Sequence, residues 1–255
     1  MNWVSSFFDS VASALRGAAR ARRSSNLHKC VTTDTGDCMN VFAHHDDRAE
    51  AAALLEHVHE TILVLLAVLR ERYLGEEQEA RARAYAEEAE DDGTQWLCAE
   101  MRLRHALVNI ARPLDWPRLV AAALAPVSPR AAAELRARVA TLLRRWDPDE
   151  LYEHDQGAFT YSHGARMIYC LRAPDGTLLP PHLMEFVALH ELAHVITPGF
   201  EHPPEYWENF KWLLHEAHQA GLHAPRNYRR APTNYCGIAV TDSPYYDPHV
   251  RALWH

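Results

Sequence analysis

Apolar side chains recur at intervals of three and four residues through much of the chain, which predicts a largely helical protein. Helices are predicted over 46–72, 76–90 and 94–111, and a fourth, over 128–145, opens with a Ser-Pro pair. The first of these is the clearest, because seven large apolar residues fall on one of its faces, and we expect that face in the core. These residues are Leu54, Leu55, Val58, Ile62, Leu65, Leu66 and Leu69.

The pattern changes after residue 152. Residues 167–171 are rich in β-branched and aromatic side chains, which predicts a strand, and a turn containing Pro and Gly follows it. Proline pairs then open two helices, over 181–197 and 204–220, since proline suits the first helical position. The first of these two helices is apolar on nearly every side and must be buried. We therefore expect one α+β domain over residues 46–255, mostly helical, with a small sheet flanking the buried helix.

Residues 1–26 differ in character from the rest of the chain. They are rich in Arg and Ser, and residues 1–33 contain five basic residues but a single acidic residue, Asp9. Such a segment is typical of an organelle transit peptide, of a helix on a membrane surface, or of a terminal helix docked on the protein's own core. With 27–45, predicted to be an irregular linker, it would form a loosely attached leader. Its apolar stripe consists of Trp3, Val4, Phe7, Phe8, Val11, Ala12 and Leu15.

The composition, 48% hydrophobic and 24% charged with a formal net charge of −8, is that of an ordinary globular protein. An acidic body without a basic stripe argues against a nucleic-acid partner. We expect no membrane span and no secretory signal, because the longest clean apolar run covers only 61–69 and spanning needs about 20 residues. The five cysteines lack CxxC spacing, which argues against a disulfide framework and favours an intracellular, reducing compartment, either the cytoplasm or an organelle.

The buried helix contains a candidate metal site in the sequence His190-Glu191-Leu192-Ala193-His194. A spacing of four residues places the two imidazoles on one face of the helix, where both can ligate one zinc ion. Glu191 can reach a zinc-activated water and act as the general base when that water attacks a carbonyl. Two imidazoles and a carboxylate are costly to bury without partners, so a metal explains them better than the alternative, a core helix with hydrogen-bonded histidines.

A catalytic zinc ion requires a third protein ligand. The chain can reverse at Pro198-Gly199 after the buried helix, because glycine can take a positive φ, and His202 lies where the chain returns towards the two imidazoles. Glu205 and Glu208 in the following helix are the competing choices, although the helix dipole alone favours an acid in the first turn. We predict one Zn²⁺ ion held by the two helix histidines and His202.

The sequence His-Glu-Leu-Ala-His, a short turn and then His-x-x-x-Tyr-Trp resembles the SprT and WLM type of small zincin metallopeptidase. The stretch 160–244, about a third of the chain, is similar to a group of predicted metallopeptidases of large DNA viruses and protists. The glycine that usually follows the third histidine in SprT-type enzymes is Pro203 here, a departure at the local turn. The matching pieces are Thr160-Tyr161, Cys170-Leu171-Arg172, Val187 to His194, His202 to Leu214, and Pro232-x-Asn234-Tyr235-Cys236-Gly237.

The resemblance implies a zincin-like active-site helix, hydrolysis of peptide bonds and a protein or peptide substrate. Residues 167–171 would then be the edge strand with which an extended peptide pairs, or else simply a core strand. Tyr235 could stabilise the transition state, although a structural tyrosine is the alternative, and Cys236 could be a fourth, inhibitory zinc ligand. The sequence also allows a non-catalytic, zinc-stabilised interaction or structural protein, in which zinc contributes to folding alone.

Overall fold

A computed structural model describes most of the chain that follows the N-terminal segment. The predicted leader, residues 1–26, lies outside the described residues, so its role in targeting, membrane contact or docking stays a prediction. The described residues are 27–33, 36–83, 92–146, 150–155, 157–161, 166–199 and 201–254.

Six α-helices make up the larger part of the described chain. They are α1 (Arg48–Arg83), α2 (Asp92–Ala106), α3 (Trp116–Ala123), α4 (Pro129–Arg145), α5 (Pro181–Ile196) and α6 (Pro204–Gln219). The predicted helices over 46–72, 94–111, 128–145, 181–197 and 204–220 are confirmed. The helix predicted over 76–90 continues α1 as far as Arg83, where the description of that segment stops, and α3 was not predicted.

Seven strands accompany the helices within the described residues. They are β1 (His28–Thr32), β2 (Cys38–Phe42), β3 (Glu150–His154), β4 (Ala158–Tyr161), β5 (Arg166–Cys170), β6 (Thr233–Tyr235) and β7 (Ile238–Val240). The first five form one mixed sheet in the order β1-β2-β3-β5-β4, and β6 and β7 form a separate antiparallel pair. In the larger sheet, β2 and β5 run parallel to β3, and β4 is antiparallel to β5. Helices with a small mixed sheet confirm the predicted α+β class.

Helix α1 is central to the core. It contacts α3, α4 and α5 as well as β2 of the sheet, and the seven apolar residues predicted for its buried face are all buried. By length and composition alone Arg48–Gly75 could cross a membrane, which the short apolar run at 61–69 did not indicate. Because 67% of its most apolar window is buried inside the protein, its apolar character is accounted for by packing.

Two predictions about strands are corrected by the sheet. Residues 27–45, predicted as an irregular linker, contain the β1–β2 hairpin, and β2 pairs with β3 through Met39 and Leu151. Most side chains of β1 are exposed, so no alternation of apolar residues marked it. Residues 167–171 correspond to β5, which lies between β3 and β4 and is a core strand; β4 is the edge strand beside it.

The cysteines form two disulfides, so the prediction against disulfides is wrong. Cys30 and Cys38 join β1 to β2, with Cα atoms 5.4 Å apart. Cys170, at the end of β5, bonds to Cys236 in the β6–β7 turn, 66 residues later, with Cα atoms 6.3 Å apart. Cys98 is free. The pairing of β1 with β2, and the return of the chain to the end of β5, bring together cysteines whose spacing in the sequence matches no motif. The predicted reducing compartment stays a prediction.

Candidate metal centre

Helix α5 positions two of the candidate ligands. Pro181 occupies its first turn, where the missing N–H costs nothing, and nearly every side chain from Leu183 to Ile196 is buried. His190 and His194, four residues apart, therefore project from one face of a helix that the surrounding core holds in place. Their ring centroids are 5.0 Å apart.

The chain reverses after α5 and brings His202 back to these imidazoles. Gly199 supports the reversal with a φ of +83°, and α6 begins two residues after His202. His202 Nε2 lies 3.1 Å from His194 Nε2, and candidate ligand atoms of the three histidines all lie within 4.8 Å of one another. Two nitrogens held about 2.0–2.1 Å from one tetrahedral zinc ion are about 3.3 Å apart. The three histidines can therefore hold a metal ion with little adjustment.

Burial keeps these three imidazoles neutral. It lowers the pKa of His190 well below its ordinary value, with further lowering by the other two histidines. Burial and then the proximity of His202 lower the pKa of His194 to about 3, and burial lowers that of His202 to about 4. Neutral imidazole is the form that ligates metals, so all three are in that form at neutral pH.

Tyr206, in the first turn of α6, contacts His190 and holds its ring in position. It is fully buried, its hydroxyl contacts His190 Nδ1, and it donates to the His190 carbonyl at 3.3 Å. A partner on Nδ1 leaves Nε2 of His190 to face the metal position. Trp207 Nε1 donates to the His202 carbonyl at 3.1 Å. The Tyr-Trp pair was noticed in the sequence only as part of a resemblance, so its supporting contacts were missed.

Glu191 lies beside the three histidines with its carboxylate held in place. Thr160 Oγ1, on the edge strand β4, donates to Glu191 Oε2 at 2.7 Å, while Oε1 lies 3.9 Å from His190 Nε2. Burial raises the pKa of Glu191 to about 7, against the lowering effect of the Thr160 hydrogen bond. The carboxyl can therefore both accept and release a proton near neutral pH. No role was predicted for Thr160, which lies far away in sequence.

Tyr235 approaches the same region from the β6–β7 hairpin. It is buried, and its hydroxyl oxygen accepts a hydrogen bond from the Cys170 N–H at 3.2 Å. Burial, and then the negative charge of Glu191, raise the pKa of Tyr235 well above its ordinary value. The phenol therefore stays protonated and can donate a hydrogen bond near Glu191.

The competing ligands lie elsewhere. Glu205 has a half-exposed side chain 3.9 Å from Arg138, and Glu208 binds Arg251 at 2.8 Å. Within the described part of the chain, the three histidines are the one group of His, Cys, Asp or Glu compact enough to hold a metal. Cys236 is not available as a thiolate ligand because it is disulfide-bonded, so that prediction is wrong.

Comparison with known proteins adds little to this geometry. No family model matches the chain, and no solved structure matches it. An uncharacterized protein of Acanthamoeba polyphaga mimivirus is 29% identical over 86 residues, which cover 33% of this chain and 44% of that protein. The match thus spans less than half of the relative, and the resemblance to SprT and WLM type peptidases stays a prediction.

Proposed function

We propose that this protein is a zinc-dependent metallopeptidase in which Glu191 is the general base. The proposal is carried by one observation, the convergence of three neutral imidazoles, one buried and two partly buried, beside a buried carboxylate. A structural role alone would not require that carboxylate, because burying it is costly.

Zinc suits this donor set better than the hard cations that prefer oxygen ligands. His190, His194 and His202 supply three imidazole nitrogens, which is the number of protein ligands in a catalytic zinc site. A zinc ion bound there would lower the pKa of a water molecule towards neutrality and polarise the substrate carbonyl.

Three residues of the chain then have distinct roles in hydrolysis. Glu191 accepts a proton from the attacking water and returns it to the departing amine, for which a pKa of about 7 is well placed. Thr160 holds one carboxylate oxygen and so directs the other towards the histidines. Tyr235, protonated throughout, donates a hydrogen bond to the oxygen on which negative charge develops.

We propose an extended protein or peptide segment as the substrate, and the position of one edge strand supports this. β4 is the outermost strand beside β5 and contacts α5, so a peptide that adds to its outer side would pass the metal centre. This assigns to β4 the role that the sequence suggested for residues 167–171. Thr160 belongs to this strand, which links substrate pairing to the position of Glu191.

The test compares the wild-type protein with Glu191→Gln on an unfolded protein such as reduced casein, with zinc content measured by mass spectrometry. We expect one zinc ion in both proteins, and hydrolysis by the wild type only, because the amide cannot accept the proton. Stoichiometric zinc without cleavage by either protein across a broad panel of unfolded substrates would sink the peptidase proposal. That result would favour the non-catalytic, zinc-stabilised protein instead.

A further inference from the structure

The β6–β7 hairpin that carries Tyr235 is separate from the main sheet. Among the residues that the structure describes, its two strands pair only with each other, through Thr233 to Tyr235 and Ile238 to Val240. Cys236 and Gly237 form its turn with φ values of 52° and 86°. A positive φ is costly for a residue other than glycine and persists where other contacts hold it.

Two interactions, a disulfide and a hydrogen bond, attach this hairpin to Cys170. Its side chain is disulfide-bonded to Cys236, and its backbone N–H donates to the hydroxyl of the adjacent Tyr235. Cys170 itself is held in the sheet, since it ends β5, pairs with His154 of β3, and its one backbone N–H is shared between the Tyr235 hydroxyl and the Gly157 carbonyl, the latter at 2.8 Å. Two neighbouring residues of the hairpin are thus attached to one residue of the sheet.

These two interactions restrict the position of the Tyr235 hydroxyl. The disulfide sets the distance between the hairpin turn and β5, and the Cys170 N–H engages the phenol oxygen. Because that oxygen acts as the acceptor, its own proton is left for a different acceptor. β5, which ends at Cys170, pairs with β4, whose Thr160 donates to Glu191, so the anchored phenol and the carboxylate are attached to neighbouring strands.

We infer that the Cys170–Cys236 disulfide is a positioning element of the active site, which holds Tyr235 where its hydroxyl can donate to the substrate oxygen. This inference rests on the proposed peptidase function. The remote disulfide, Cys30–Cys38, joins β1 to β2 at the other end of the sheet and has no such role.

A double-mutant cycle tests the inference. Tyr235→Phe and the paired substitution Cys170→Ala/Cys236→Ala should each lower kcat about 10–100-fold with KM changed less than about twofold, because the lost hydrogen bond forms only in the transition state. Combining them should cause no further loss, since both remove the same interaction. The matched control, Cys30→Ala/Cys38→Ala, should retain kcat. Multiplicative effects in the combined variant, or full kcat without the Cys170–Cys236 bridge, would overturn the inference.

Two further measurements distinguish a loss of positioning from a failure to fold. Should the paired cysteine variant fail to fold, the Cys30→Ala/Cys38→Ala protein can be folded first and its remaining disulfide then reduced with a phosphine, which should lower kcat to the same extent. Amide hydrogen exchange over residues 233–240 and the NMR signal of the Tyr235 ring report positioning without activity, and both should change when the bridge is lost while zinc stoichiometry does not. If these signals change in a protein that never shows peptidase activity, the proposed function fails but the positioning stands. Unchanged signals would contradict the positioning, and loss of zinc would show that the bridge only supports the fold.

Discussion

Single residues at the metal centre illustrate how burial prepares ligands. The Nε2 atoms of His194 and His202 lie 3.1 Å apart. Burial lowers the pKa of both imidazoles, so at neutral pH neither carries a positive charge that would repel the other. An exposed carboxylate such as Glu205 has no comparable constraint, and an arginine lies near it. The difference between these environments leads to a direct test of the third ligand.

His202→Ala should lose zinc nearly as completely as His194→Ala, because each supplies one of three protein ligands. The loss should exceed the roughly 10–100-fold that removal of a supporting contact typically costs. Glu205→Ala is the matched control and should keep its metal. Competition with a chromogenic chelator measures the affinities, and stoichiometric zinc in His202→Ala together with loss in Glu205→Ala would show that the ligand assignment is wrong.

Tyr206→Phe should weaken zinc binding about 10–100-fold, because the hydroxyl that orients His190 is removed while the packing of the ring is kept. Tyr246→Phe is the control, since its hydroxyl donates to the Pro225 carbonyl at the surface. The same chelator competition applies. Equal affinities for zinc in the two variants would mean that the contact with His190 is dispensable.

Contacts between elements hold α5, which carries two of the candidate ligands, next to α6, which begins two residues after the third. Asn209 of α6, fully buried, accepts from Arg138 Nε of α4 at 2.6 Å and donates to Thr197 Oγ1 at 2.9 Å. Thr197 in turn donates to the Ala193 carbonyl at the end of α5. One amide thus connects three helices next to the metal centre.

Asn209→Ala should lower the free energy of unfolding by about 2 kcal/mol, because it leaves buried polar partners unsatisfied. Gln219→Ala, which truncates an exposed side chain of the same helix, should change it by less than about 0.5 kcal/mol. Urea unfolding monitored by tryptophan fluorescence measures both, and an unfolding free energy equal to that of the wild type in Asn209→Ala would contradict this account.

A second connection between elements should make stability depend on pH. Burial alone would raise the pKa of Glu185 on α5, but hydrogen bonds from His223 and His57, each at 3.0 Å, lower it to about 2. Since this pKa lies below the value in the unfolded chain, the stabilisation is fully present above about pH 5 and is lost as the pH falls towards 2.

Glu185→Gln should therefore be about 1–3 kcal/mol less stable than the wild type at pH 6, and the two unfolding curves should converge as the pH approaches 2. Glu50→Gln, at an exposed position in the first turn of α1, is the control. Urea titrations at several pH values measure the difference. A gap that stays constant down to pH 2.5 would show that Glu185 does not titrate as described.

The sequence predicted some of these elements and not others, for physical reasons. α5 and α6 were predictable because prolines mark their starts and their apolar residues are dense. β3 was missed because its fourth residue, Glu153, is a fully buried acid that binds Arg172 at 2.7 Å, so the strand shows no apolar alternation. β2 was missed because it pairs with β3, more than a hundred residues later in the chain, and β1 because most of its side chains are exposed.

In the candidate site, too, some residues were predictable from the sequence and others were not. The helical spacing of His190 and His194 is a local property, and the proline-glycine turn indicated that the chain could return at His202. Thr160 depends on the position of an edge strand that the sequence did not reveal, and the disulfide partner of Cys170 depends on where the chain returns 66 residues later. Such long-range relations are set by the whole fold and leave no periodic signal.

On the scale of the whole molecule, the two disulfides should contribute unequally to stability. The Cys170–Cys236 bridge closes a loop of 66 residues and the Cys30–Cys38 bridge one of 8. In the chain-entropy model these loops correspond to about 4 and about 2–3 kcal/mol respectively.

Removal of the longer bridge should accordingly lower the unfolding free energy by more than removal of the shorter one. Paired alanine variants of each bridge, compared by urea unfolding, measure the order. A larger loss from Cys30→Ala/Cys38→Ala would indicate that native contacts of the hairpin outweigh loop entropy.

The placement of β2 beside β3 has a consequence for how the chain is made. Asn40 and Leu151, which meet across this pair, are 111 residues apart, and a growing chain extends by roughly 5–20 residues per second. The β1–β2 hairpin therefore waits on the order of 5–20 seconds for its neighbour to be synthesised, with the inner edge of β2 open to the wrong strand. Helices α1, α3 and α4, which need only local contacts, can form during that interval. Because α1 contacts both β1 and β2, it can cover the nascent hairpin before β3 is synthesised.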